Sequence, residues 1–477
     1  MEVGARSNGK RVLLPIISSA LRCGGEAVKP SRKMSLRKLS AYAGLCLGAV
    51  VLAVAMFVLL FGGAILNGYG KGMAERAFAA AHPGSDLRIG RLDYAVGANL
   101  LVAQSLTLSA TNTTLKTGRI SLTGVRWARL LWGTAALADV LANASLEATN
   151  LDVAFPQAHY GIRCVRLRAS VPGSELIAEG AELFPLAGDE AFFAACDFQT
   201  PRFHLVLPEC RVLGLAYGEL LRGKSYRARA VHFFQPSLDA LLNRDKPPPP
   251  FVKSPLMVHE ALAAIRQPLQ IDSLTITNGH LTYRERLAIG AEPAVLTFGA
   301  VSVSVEGIAN RGERAAAIQL RAQGDLMDAG TLKVVMSIPI TPPDFSFHYS
   351  GSLSAMDLTR LDAFLEIAEH IRIKSGVAQE AAFDIDVTAG HARGHVRAIY
   401  HDLEVALLDK QTGSAKGLNN RFASFIENAF RIRSANAPNA SRSMKEGKVN
   451  LTRRPDVEFL QFAWFALRTG VMDVISE

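Results

Sequence analysis

The sequence predicts a mainly β protein: a single N-terminal transmembrane helix followed by an elongated antiparallel β-sheet or groove with a few helices. Three observations lead there. An uncharged apolar run occupies Ala41–Leu66. Apolar and polar residues then alternate in short segments from Leu87 to Leu408, separated by Gly, Asn, Thr and Ser turns, as half-buried antiparallel strands require. Finally, only five cysteines occur in 477 residues, so no disulfide framework is available and the fold must rest on burial of apolar surface.

Ala41–Leu66 contains no charged residue and no His, Asn, Gln or Pro. About 20 apolar residues cross a hydrocarbon core of roughly 30 Å, so this run is long enough to span. Residues 1–40 carry nine Lys/Arg against Glu2 and Glu26, a bias that keeps the N-terminus in the cytoplasm and sends the rest of the chain across. A cleaved signal has a much shorter apolar region, so the run is read as an uncleaved anchor despite Ala77-Phe78-Ala79 downstream. Met34, just ahead of the anchor, is an alternative start to Met1.

Beyond the anchor, Lys71–Ala81 reads as a helical extension. A first β-rich region covers 67–243: Leu87/Ile89/Leu92, Leu101/Ala103/Leu106/Leu108, Ile120/Leu122/Val125 and Leu146/Ala148/Leu151/Val153 open it. Strands are expected at Ile162–Ser170, Arg202–Pro208 and Tyr226–Phe234, and a helix in the Ala-, Glu- and Leu-rich stretch Ser174–Phe198. Residues 244–267 begin with RDKPPPP, a semi-rigid spacer, and continue into a short helix. A second β-rich region at 268–410 includes Ile271–Ile276, Gly279–Arg284, Val295–Val305, Ile318–Gln323, Leu332–Ile340 and Phe345–Leu353. An amphipathic helix is expected at Leu358–Arg372, then strands at Ala381–Thr388, Arg393–Tyr400 and Leu403–Leu408. Residues 411–477 form a helical, basic C-terminal region with helices at Gly417–Phe430 and Val457–Ile475 and a polar, turn-rich stretch between.

The charge pattern excludes nucleic acid as a partner. The formal net charge is +9, but the basic excess lies in the N-terminal tail, and the region past the anchor is near neutral with 43 basic against 41 acidic residues. No phosphate-binding loop, HExxH, CxxC, GxSxG or EF-hand loop is present, so no enzyme activity, cofactor or metal is expected. His391 and His395 share one strand face, as do Asp384 and Asp386, but neither pair has the accompanying ligands or cleft that catalysis needs, and both read as solvated polar positions. Basic residues cluster at 421–454 ahead of an apolar helix containing Trp464. Arg431, Arg433, Arg453, Arg454 and Trp464 are therefore candidates for contact with a membrane surface.

The layout resembles the AsmA-like proteins (the AsmA/TamB type) of Gram-negative envelopes. Leu269–Arg284 (LQIDSLTITNGHLTYR) is similar to their recurring strand. Ile371–Leu408, with Ile373-Lys374-Ser375-Gly376 and Tyr400-His401-Asp402-Leu403, is similar to their C-terminal module, continued by Ala435-Asn436-Ala437-Pro438 and Arg453-Arg454. The resemblance implies an inner-membrane, single-pass protein with its bulk in the periplasm, and a curved sheet whose apolar groove carries lipid between membranes. Membrane lipids are then the partner, along with other envelope proteins. Val301, Val303 and Val305, alternating on one strand face, are the groove candidates. A stack of about 20 strands at roughly 4.8 Å reaches about 100 Å, which suits a short carrier or assembly chaperone better than a complete bridge. The alternative is a non-catalytic scaffold that recruits envelope or outer-membrane proteins through its sheet edges.

Overall fold

The alternating segments build one large sheet. The computed structural model describes residues 66–477 apart from 111, 128, 130–135, 248–257, 289, 312–316, 341–344, 409–431, 439–443 and 456. The first nine strands are β1 (Asp86–Ala95), β2 (Leu100–Ala110), β3 (Thr113–Thr123), β4 (Ser145–Phe155), β5 (Tyr160–Ser170), β6 (Glu175–Pro185), β7 (Arg202–Leu213), β8 (Tyr226–Phe234) and β9 (Ser237–Asn243). The others are β10 (Leu269–Arg286), β11 (Ala294–Ala309), β12 (Ala317–Leu326), β13 (Gly330–Pro339), β14 (Phe347–Leu353), β15 (Met356–Asp357), β16 (Ile371–Thr388), β17 (His391–Leu407) and β18 (Glu446–Thr452). The α-helices, most of them one or two turns long, are α1 (Lys71–Ala81), α2 (Leu137–Val140), α3 (Asp189–Ala194), α4 (Tyr217–Leu221), α5 (Val258–Ala263), α6 (Asp362–Ala368) and α7 (Phe459–Ile475).

From β1 to β7 each strand pairs antiparallel with the next. β7 then pairs with both β8 and β9, which share one place in the sheet. Those two lie parallel to β10, from Leu269 opposite Tyr226 to Arg286 opposite Asn243. The antiparallel meander resumes at β11 and runs to β18, with β14 and β15 sharing the place beside β16. The two β-rich regions are thus continuous, and residues 244–268 are the crossover that a parallel pair requires.

Three sequence expectations are corrected. The helix expected over Ser174–Phe198 is strand β6 followed by the short helix α3. Its Ala and Glu content hid the apolar series Leu176, Ala178, Ala181, Leu183, which packs beside β5 and β7. The helix expected to reach Arg372 stops at Ala368, because His370 adopts φ +56° and turns the chain into β16. The polar stretch before Thr452 contains β18, which pairs with β17 through Arg397–His391. The anchor, except for Leu66, and the helix expected at Gly417–Phe430 lie outside the described residues. Among the described residues no helix is long and apolar enough to cross a membrane.

Both sheet edges are covered. Along β1, the Asn67 and Glu75 side chains accept hydrogen bonds from the Leu92 and Ile89 N–H groups (2.5 and 2.8 Å), and Lys71 donates to the Gly90 carbonyl (3.3 Å). At the other edge the Asp473 carboxylate of α7 accepts from the Lys448 N–H of β18 (2.7 Å). Side chains thereby occupy backbone groups that an added strand would use.

The main core lies at the C-terminal end. There α7 buries Phe462, Ala466 and Val474 against Tyr349, Ile385, Val396 and Val449. Gly470 and Gly447 let the helix and β18 touch: a Cβ on Gly447 would stand 2.0 Å from the Gly470 carbonyl oxygen. The Tyr349 hydroxyl donates to the Ala463 carbonyl (2.8 Å), and burial pushes its pKa up. Asn436 joins the same end, donating to the Ala398 and Lys445 carbonyls and accepting from the Lys445 N–H.

Candidate functional site

Register places apolar side chains in rows that run across the strands. One row passes from Leu108 through Leu115, Val153, Ile162, Leu183 and Leu205 to Leu238. A second passes from Leu101 through Leu122, Leu146, Ala169, Leu176, Val212 and Val231 to Leu274. Strict alternation would put these two rows on opposite faces, because a slip of one residue reverses the side chains. They share a face because each strand carries one extra residue between them. The apolar series steps by three at Ile89/Leu92, Ala103/Leu106, Thr117/Ile120, Ala148/Leu151, Cys164/Leu167, Ala178/Ala181 and Leu207/Cys210.

The extra residues form a seam at which both strands of a pair leave the ladder together: the pairing passes over Gly90 and Ser105, Asn150 and Val165, and Gly180 and Pro208 with no change of register. Left-handed backbone occurs at Ser105, Asn150 and Gly180, on β2, β4 and β6, then at Gln235, Asn278 and Ala300, with φ between 47° and 60°. Small neighbours make room: a Cβ on Gly90 would lie 2.9 Å from Ser105 Cβ, and one on Gly180 2.7 Å from Val165 Cγ2. The line of these extra residues at one level keeps both apolar rows on one face of the sheet; in this apolar strip, the trough, the seam is the floor and the two rows are the walls.

Burial is deepest along the seam. Ala103, Thr117, Ala148 and Cys164, beside the seam, are 9%, 4%, 2% and 8% exposed, whereas Ile162 farther along β5 is 39% exposed. The floor is thus lined by small side chains and the walls by Leu, Ile and Val. Carbonyls beside the seam are satisfied from within. The Thr117 hydroxyl donates to the Thr149 carbonyl (3.0 Å), and the Cys164 thiol to those of Arg166 and Glu179 (3.2 and 3.6 Å). Burial raises the Cys164 and Cys210 thiol pKa values, which keeps the floor uncharged.

The opposite face is charged. Arg163 lies 3.5 Å from Asp152 and 3.9 Å from Glu182, and Arg166 lies 3.0 Å from Glu147 and 3.8 Å from Glu179. These pairs are solvated, each worth about 0–1 kcal/mol, and they mark this side as the outer one. The described helices leave the trough between β2 and β9 largely to itself. α1 follows β1, α2 and α4 meet at one rim through Asp139 and Arg222 (3.1 Å), and α3 packs Phe192 and Phe193 on the outer face with Leu241.

At β10 the trough meets a wall. Phe364 of α6 approaches Tyr283 (ring centres 6.0 Å), and Leu361 and Leu365 pack with the C-terminal core. A buried polar group lies at this junction. Arg244 bonds Glu285, the Tyr283 hydroxyl donates to Glu285 (3.0 Å), and Arg468 of α7 sits 3.8 Å from Glu369. Burial pushes the Glu369 carboxyl up to about 7, against the opposing pull of Arg468.

Val303 pairs with Ile276 and Ala322, and Val305 with Leu274 and Leu320, all on the apolar face. Val301 turns to the same side, its Cγ2 near the space above Gly324. All three stand at the walled end, and Val305 joins the C-terminal core. Arg453 is built into the fold, its guanidinium 4.6 Å from the Phe345 ring centre, and Arg433 is half-buried. Arg454 and Trp464 are exposed, Trp464 at 54% and its helical neighbour Leu460 at 72%, and Arg431 lies outside the described residues. Asp384 and Asp386 meet His348, whose Nδ1 is 2.9 Å from Asp386 and whose Nε2 is 3.9 Å from Asp384, in the open on the polar face. His391 hydrogen-bonds Thr452 (2.9 Å).

Sequence reasoning missed the trough floor. Its signal was present in the three-residue steps, which a search for strict alternation passes over. No protein-family model matches the chain, and no curated protein does.

Proposed function

We propose that this is a membrane-anchored, non-catalytic envelope protein that binds lipid by its acyl chains in the trough. The apolar run at 41–66 holds it in the inner membrane with the β-sheet on the periplasmic side. The observation that carries the reading is the apolar face itself, continuous from β2 to β9, crossed by one seam and lined with small residues along it. A sheet with one apolar face needs a covering layer, and an open apolar surface of this extent marks a binding site. Acyl chains supply that layer without needing polar partners, and the floor offers few polar groups left over. Lipid fits better than a scaffold working through sheet edges, because both edges already carry side-chain caps.

The test is native mass spectrometry of the full chain extracted in mild detergent, with lipid analysis of the released mass. Phospholipid should accompany the protein and be lost in Leu151→Asp and Leu183→Asp, which place a carboxylate on the trough walls. A lipid-free protein that is folded and monodisperse would contradict the reading.

A further inference from the structure

We infer that the trough is blind: lipid occupies only the stretch from β2 to β9, reached from the anchor side, and does not pass under α6 and α7. The inference rests on the lipid reading above and adds the extent of the site and its capacity.

The two halves of the apolar face differ in what lies on them. Past β11 the face is packed by the protein's own side chains, from Ile318, Met336 and Ile338 on β12 and β13 to α7. Phe462, Ile385 and Val474 are at most 1% exposed there, and Leu365 of α6 and Leu361 just before it pack into the same core, with α6 touching both β11 and β16. The Tyr283–Phe364 contact, the buried Arg244–Glu285 pair and the Glu369–Arg468 pair stand across the boundary. An acyl chain advancing past β9 would have to break these contacts and leave charges unpaired in an apolar setting, which is strongly unfavourable. Among the described residues no comparable barrier stands at the other end. There α1 lies along β1 and contributes Ala74 to a small cluster with Ile89, Leu92 and Ala103. The chain runs from the apolar segment at 41–66 through α1 straight into β1, so this end is tied to the bilayer that supplies lipid.

Length sets the capacity. The open stretch is seven strand positions wide, counting β8 and β9 as one place, or about 34 Å at roughly 4.8 Å per strand. Half of a hydrocarbon core of roughly 30 Å gives about 15 Å for one lipid's chains. The open stretch therefore holds about two phospholipids in file. A trough continuing to β18 would be about 70 Å long and hold four or five.

The experiment places a photo-crosslinking residue in the full chain at Leu151 or Leu183 on the open side, and at Leu320 or Val334 beyond the wall. Each variant is reconstituted in vesicles of phosphatidylethanolamine and phosphatidylglycerol and irradiated, and adducts are read by mass spectrometry. Adducts at the open positions and none beyond the wall are expected. Adducts at both sets would overturn the blind trough while leaving lipid binding intact, and adducts at neither would overturn the lipid reading itself. The unsubstituted chain gives a second measurement if a wall-side variant fails to fold. Its bound phospholipid, counted by native mass spectrometry, should saturate near two per chain, and four or five would again overturn the inference.

Discussion

Gly180→Ala distinguishes a seam of left-handed residues from an ordinary strand by the sign of its effect. In a regular strand interior, replacing Gly by Ala stabilises by roughly 0.5–1 kcal/mol, because the unfolded chain loses freedom. At φ +60° the left-handed backbone penalises a Cβ by about 1–2 kcal/mol. The new methyl would also stand 2.7 Å from Val165 Cγ2, although Val165 is 61% exposed and can turn outward at a smaller cost. Offset by the entropy gain, the net expectation is a loss of about 1–2 kcal/mol. Ala300→Gly is the mirror experiment: at φ +47° it relieves left-handed strain and should be neutral or stabilising by up to about 1 kcal/mol. Urea unfolding of the full chain in detergent, followed by circular dichroism, measures both. A stabilised Gly180→Ala together with a destabilised Ala300→Gly would refute the seam.

Other expectations concern the ends of the sheet. The Glu369 pKa is raised by burial to about 7, above an unfolded value near 4.3, so the folded state holds its proton more tightly. Its stabilising contribution is full below about pH 4 and fades as pH rises to 7, by on the order of 3 kcal/mol. Glu369→Gln should flatten that part of the stability curve and gain most over wild type near pH 8; parallel curves would contradict it. Gly447→Ala drives a methyl into the Gly470 carbonyl and should lift α7 from β18, costing about 3 kcal/mol and raising protease cleavage near Phe462. Glu75→Ala removes the cap on the Ile89 N–H, and hydrogen exchange at that amide should speed while the β5 amides are unchanged.

Much of the fold was legible in the chain. Tyr226–Phe234 matches its strand residue for residue, and the helix expected at Val457–Ile475 is α7, starting two residues later. What stayed hidden depends on pairings distant in sequence. The Pro-rich break at 244–250 looked like a boundary, yet the parallel pairing of β8 and β9 with β10 makes it a crossover within one sheet. The floor residues were hidden for a related reason. Ala148 and Cys164 look unremarkable singly and acquire meaning only when register shows the same step on every neighbouring strand. The polar junction at Glu285, Glu369 and Arg468 brings together residues from three elements, and no local pattern announces it.

The measurement that tests the central claim most directly is an experimental density map of the full chain in a lipid nanodisc. The account predicts elongated density along the floor over Ala103, Ala148 and Cys164, ending at Tyr283 and Phe364. A trough that holds only ordered water, or is closed by its own walls, would contradict it.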